Sequence, residues 1–96
     1  MYKPGRKPGT IRFSIAPGGG VHRVDVAGEF SGWKLQSMRR HRDGHYEATV
    51  AGCSGATCQY KFLVDGRWIT DPDNKSLTAN SFGTLNSVAN LTAGHA

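Results

Sequence analysis

The sequence predicts an antiparallel β-sandwich, and three observations carry that prediction. Short apolar–polar alternations recur along the chain, about seven of them. Turn signals separate them, including the Asp-Gly pairs Asp43-Gly44 and Asp65-Gly66. No window of about ten residues or more holds a 3.6-residue period. The 13 glycines among 96 residues agree with a chain made of short strands and many turns. The same periodicity is also compatible with closure into a barrel. A chain of this length forms one domain with one modest core.

The elements follow in order. Residues 1–9 read as a flexible basic tail, with Pro4, Gly5, Pro8 and Gly9 between Lys3, Arg6 and Lys7. Ile11, Phe13 and Ile15 alternate with Arg12 and Ser14, the pattern of a half-buried strand. Pro17 and Gly18 to Gly20 break it. Val24 and Val26 alternate with Arg23 and Asp25, and this second strand runs on to Ala27, Gly28 and Phe30. Ser31-Gly32 turns the chain and presents Trp33. A third strand is expected around Gln36 to His41, leading into the Asp43-Gly44 hairpin. The return strand puts Tyr46, Ala48 and Val50 on one face. After a loop over 52–57, Cys58, Tyr60, Phe62 and Val64 alternate with Gln59, Lys61 and Leu63. Arg67 to Ile69 is a short strand behind the Asp65-Gly66 turn, and Asp71-Pro72-Asp73-Asn74 ends it. Residues 75–83 look irregular. Leu85, Ser87, Ala89 and Leu91 form a last alternation, out of phase with Asn86, Val88 and Asn90.

Composition excludes some classes of function. The formal net charge is +5. The excess is concentrated at Lys3, Arg6 and Lys7 and at Arg39, Arg40 and Arg42, and no nucleic-acid motif accompanies it. It reads as a basic surface rather than a polyanion site. No apolar run approaches the roughly 18 residues of a membrane span. No apolar stretch follows the basic N-terminus, so no secretory signal is read there and a cytoplasmic location is expected. Cys53 and Cys58 have no second pair with which to build a zinc site. They could bridge across a hairpin, but without an export signal free thiols are expected. His41 and His45 flank a turn and read as polar residues at a hairpin end, not a metal site.

No catalytic set is present. The chain has neither GxSxG nor HExxH. Asp43, Asp65, Asp71 and Asp73 fall at turns, where turn chemistry explains them. The two tryptophans are different. Trp33 and Trp68 both stand at turns beside glycines rather than inside apolar runs. Such a ring either plugs the core edge or presents a face to a ligand. Strand phase adds one fact: if Tyr60, Phe62 and Val64 point inwards, Lys61 points outwards, near Trp68. Two indole faces beside a lysine and amides suit a neutral, hydroxyl-rich ligand. Stacking on one indole would bury ~100 Å², about 2–3 kcal/mol before entropic losses.

The succession VAGEFSGW, an Asp-Gly hairpin with YEATV, YKFLVDGRWITDPDN and FGTLNSV resembles carbohydrate-binding module family 48. This is the glycogen-binding domain of AMP-activated protein kinase β subunits, with relatives at the N-terminus of isoamylases and branching enzymes. The resemblance covers about residues 10 to 91 and leaves 92–96 as a C-terminal tail. It implies an immunoglobulin-like, early-set β-sandwich that binds α-1,4-linked glucan (glycogen, starch or maltooligosaccharides). It also implies no catalysis, cofactor or metal. The family's paired platform tryptophans match Trp33 and Trp68, and its lysine matches Lys61. Its closing segment matches Phe82, in place of a more usual leucine, then Thr84 and Asn86. Its arginine before the hairpin matches Arg40, with Arg39 adjacent. A fused or associated kinase or amylase-type enzyme is the implied partner, with neither nucleic acid nor membrane expected. The alternative is a scaffold domain of such an enzyme with little sugar affinity.

Overall fold

The computed structural model describes residues 1–53 and 55–90. These form ten strands: β1 (Tyr2–Pro4), β2 (Thr10–Ile15), β3 (Val24–Gly28), β4 (Gln36–Ser37), β5 (Arg39–Arg40), β6 (Tyr46–Ala51), β7 (Thr57–Val64), β8 (Arg67–Ile69), β9 (Leu77–Ala79) and β10 (Leu85–Asn90). They make two antiparallel sheets, the sandwich that the alternations predict. One has the order β1-β2-β6-β5; the other runs β4-β3-β7-β10-β9, with β8 paired to β7.

Alternation decides which side chains lie between the sheets. Ile11, Phe13 and Ile15 from β2 meet Val24 and Val26 from β3 and Cys58, Tyr60 and Phe62 from β7. Phe13 is the hub of this core. Its ring lies 4.6 Å from that of Tyr60 and 5.3 Å from that of Phe30, distances at which aromatic pairs attract. Val64, expected inward, is only half-buried, because it sits beside the Asp65-Gly66 turn at the sheet's end. Ser87 and Ala89 point inwards as the last alternation requires, but Leu85 is 46% exposed beyond the core's rim. Leu91 lies outside the described residues.

The turn aspartates have structural work. Asp65 and Gly66 both take positive φ, 46° and 83°, the left-handed pair that joins strands with the native twist. The Asp65 carboxylate accepts hydrogen bonds from the backbone N–H groups of His22 and Arg23 at 3.0 and 2.8 Å, which ties the turn to the start of β3. Buried Asp71 accepts a hydrogen bond from the Tyr60 hydroxyl at 2.6 Å, and its own N–H donates to Ser87 Oγ at 2.7 Å. Burial raises the Tyr60 pKa far above its ordinary value, and the Asp71 hydrogen bond adds to the shift.

Four expectations need correction. Residues 1–9 are not all tail: β1 pairs with β2, with Tyr2 opposite Phe13. The Tyr2 ring packs 6.1 Å from that of Tyr60, and its hydroxyl accepts from Asn90 N–H at 2.9 Å. One aromatic anchor outweighs the proline- and glycine-rich composition. The expected strand over 36–41 is two strands in different sheets. β4 pairs with β3 and β5 pairs with β6, and buried Met38 sits at the crossing, its N–H bonded to Val24 C=O at 2.9 Å. Residues 75–83 include β9, which pairs with β10. Finally, Cys53 and Cys58 are not free thiols but a disulfide, their Cα atoms 5.8 Å apart, within the span a disulfide needs.

Candidate functional site

The outward face of the six-stranded sheet carries an open groove of about 710 Å³, lined by Trp33, Trp68, Lys61, Asn86, Thr84 and Phe82 together with Glu29, Gln59 and Asn80. Each arrives by a separate local rule. On β7, Tyr60 and Phe62 are buried, so Gln59 and Lys61 face out. On β10, Ser87 faces in opposite Tyr60 and Val88 lies opposite Gln59, so Asn86 shares the outward face. Trp68 follows the Asp65-Gly66 turn and lies opposite Leu63 on β8.

Trp33 is placed by a more unusual backbone. A 3-10 turn over Glu29–Ser31 ends at Gly32, φ 62°, and Trp33 itself takes φ 66°. Its N–H bonds Gly28 C=O at 2.9 Å. Two successive left-handed residues throw the indole off the sheet edge. A bulky side chain in that region costs about 1–2 kcal/mol, a strain typical of functional positions. Trp33 and Trp68 stay 43% and 50% exposed, so neither is a core plug.

A polar network forms the floor between them. Lys61 Nζ donates to Thr84 Oγ1 at 3.1 Å. Asn80 Nδ2 donates to Thr84 Oγ1 at 2.7 Å and to Asn86 Oδ1 at 3.0 Å, and Asn86 Nδ2 donates to Gln59 Oε1 at 3.0 Å. Asn80 Oδ1 in turn accepts from the N–H groups of Phe82 at 2.9 Å and Thr84 at 3.2 Å. One side chain therefore shapes the loop that holds Phe82 out, 89% exposed. Asn80 uses all four hydrogen-bonding sites of its amide in this network, whereas Lys61 commits one of three ammonium donors and Asn86 two of four amide sites among the bonds described. Asn86, at 4% exposure, supports the floor more than it reaches out of it. Charge in the groove is limited to Lys61 and Glu29, and the Glu29 carboxylate accepts Gln59 N–H at 2.8 Å.

Six of the seven residues singled out from the sequence thus line one groove. Arg40 does not. It lies on β5 of the other sheet, opposite Tyr46, because the chain changes sheet at Met38. Asn80, Gln59 and Glu29 join the groove without being singled out by the sequence. Gln59 has the same strand parity as Lys61, which is a readable signal; the role of Asn80 depends on a loop whose shape the sequence does not display.

A two-sheet sandwich with an open, aromatic-flanked polar groove on one face is built as a ligand-binding module. No helix among the described residues is long and apolar enough to cross a membrane. Comparison narrows the class. The family model described as the glycogen recognition site of AMP-activated protein kinase matches residues 11–95. The 5′-AMP-activated protein kinase subunit beta-2 of Mus musculus is 30% identical over 87 residues, covering 88% of this chain and 29% of that protein. Subunit beta-1 of Sus scrofa is 35% identical over 71 residues, covering 73% and 55%. The chain belongs to this glycogen-recognition family of carbohydrate-binding domains, and it spans well under two thirds of these relatives' length. The fold also matches part of the pullulanase of Anoxybacillus, with TM-score 0.59, 23% identity, and 93% of this chain against 14% of that one. A pullulanase mutant from Paenibacillus barengoltzii, solved with maltotetraose, gives TM-score 0.59, 25% identity, 91% and 14%.

Proposed function

We propose that this domain binds α-1,4-linked glucan in the groove without acting on it, and so brings an associated protein to glycogen or starch. Trp33 and Trp68 stack on glucose rings. Lys61 and Thr84 hydrogen-bond hydroxyls, Asn86 assists from the floor, and Phe82 presses against a ring edge. The observation that carries this reading is the exposure of both indoles across one nearly neutral polar floor. Sugar C–H faces cover an indole, and hydroxyls exchange hydrogen bonds with amides and an ammonium. The family's name and the maltotetraose in one structural relative support the choice of glucan. A kinase or an amylase-type enzyme is the partner proposed from the relatives, in the cytoplasm. There the Cys53–Cys58 bridge would face a reducing pool.

Co-sedimentation with glycogen tests the proposal. The wild-type domain should pellet with the polymer, and maltoheptaose should release it. The double variant Trp33→Ala/Trp68→Ala should stay in the supernatant while keeping its circular dichroism spectrum. A wild type that never pellets would leave the domain as a scaffold without sugar affinity.

A further inference from the structure

A second cluster lies on the other sheet, at the hairpin that joins β5 to β6. His41, His45 and Glu47 bring their ligand atoms within 4.8 Å of one another. His41 Nε2 is 3.6 Å from Glu47 Oε1, and His45 Nε2 is 3.8 Å from Glu47 Oε2. Two ligands bonded at about 2.0–2.1 Å to a tetrahedral zinc stand roughly 3.3 Å apart. Each imidazole–carboxylate pair is within a few tenths of an ångström of that spacing, through a different oxygen of Glu47, and the histidine ligand atoms lie within 4.8 Å of each other.

The tautomer is set as well. The Asp43 carboxylate hydrogen-bonds His45 Nδ1, which leaves Nε2 to present its lone pair. This carboxylate–imidazole arrangement is the outer-shell support that orients a metal-bound histidine. The two rings lie stacked, centroids 4.2 Å apart and 13° from parallel. An imidazole lone pair lies in its ring plane, so coordination requires the His41 ring to turn out of this stack while Asp43 holds the His45 ring. Arg12 Nη1, 3.9 Å from Glu47 Oε2, is the one cation close to the carboxylate among the described ion pairs.

We propose that His41, His45 and Glu47 bind a borderline divalent cation, Zn²⁺ foremost, with Asp43 as the positioning residue and water completing the shell. Two imidazoles and one carboxylate select zinc, nickel or copper over magnesium or calcium. The ion would clamp the end of β5 to β6, independently of the groove on the opposite sheet.

The test uses the untagged protein with its disulfide intact, dialysed against Zn²⁺ and separately titrated with Co²⁺. One equivalent of zinc should be retained per chain, and cobalt should develop visible d–d absorption that zinc abolishes. Histidine ring signals of His41 and His45 should shift on zinc addition in the unmutated protein, a readout independent of variant folding. His41→Ala, His45→Ala and Glu47→Gln should each lose stoichiometric retention, while His22→Ala keeps it. Asp43→Asn should weaken binding by about 10–100-fold. Failure to retain zinc, retention undiminished in either His41→Ala or His45→Ala, or unmoved ring signals would overturn the proposal.

Discussion

Replacing Trp68 with alanine separates a ligand-facing indole from a structural one. A tryptophan presents about 150–250 Å² when wholly exposed or buried. At 50% exposure, roughly 100 Å² remains for a sugar ring to cover. At about 25 cal/mol per Å² that is ~2.5 kcal/mol. Ordering a ring with only two side-chain torsions takes back a few tenths, leaving about 2 kcal/mol, or a 30-fold weaker Kd. The fold loses much less, since Trp68 sits on β8, which pairs with β7 alone. Its cross-strand contact with Leu63 contributes about 0.2–1 kcal/mol, a few degrees of Tm in a domain this size. Calorimetric titration of maltoheptaose alongside a thermal melt reads both quantities. A Kd within about threefold of wild type, or a Tm lower by more than about 10 °C, would refute the reasoning.

Three further outcomes follow from single residues. Asn80→Ala removes the side chain that bonds Phe82, Thr84 and Asn86. It should cost about 1–2 kcal/mol in urea unfolding and weaken glucan binding about fivefold, because the loop must then be ordered by the ligand. Trp33 takes φ 66°, so Trp33→Gly should be more stable than Trp33→Ala by about 1 kcal/mol in the same assay, although both lose the stacking face. The Asp43 carboxyl is held below its ordinary value of 3.8, first by the His45 backbone N–H and then by the His45 ring. A depressed carboxylate contributes fully above its unfolded value and loses that contribution as pH falls through the lowered one. A carboxyl NMR titration should therefore place the Asp43 midpoint below 3.8; a midpoint at or above that value contradicts the hairpin geometry.

What the sequence makes legible is what depends on period and local turn chemistry. Alternation alone puts Tyr60 and Phe62 inward, and therefore Lys61 outward. The Asp65-Gly66 pair announced its turn because few residues tolerate positive φ. Both tryptophans stood out by their position at turns. What was hidden depends on contacts between distant segments. Nothing local marks Met38 as the point where the chain leaves one sheet for the other, so the sequence does not show that Arg40 lies on the sheet opposite the groove. β1 holds by Tyr2 against Tyr60 and Asn90, partners 58 and 88 residues away in a stretch whose prolines and glycines argue for a tail. The Cys53–Cys58 bridge depends on how the loop folds, which a spacing of five does not decide. Asn80 becomes central only once β9 and β10 are paired around it.

The central claim is that Trp33 and Trp68 act together on one neutral glucan. These are the only two tryptophans in the chain, so a proton–nitrogen NMR spectrum holds two indole Nε1–H signals and reads the platform directly. Maltoheptaose should shift both along one saturation curve, with a Kd between micromolar and millimolar that hardly changes as salt is raised. Two unmoved signals, or a response that disappears with added salt, would contradict the account.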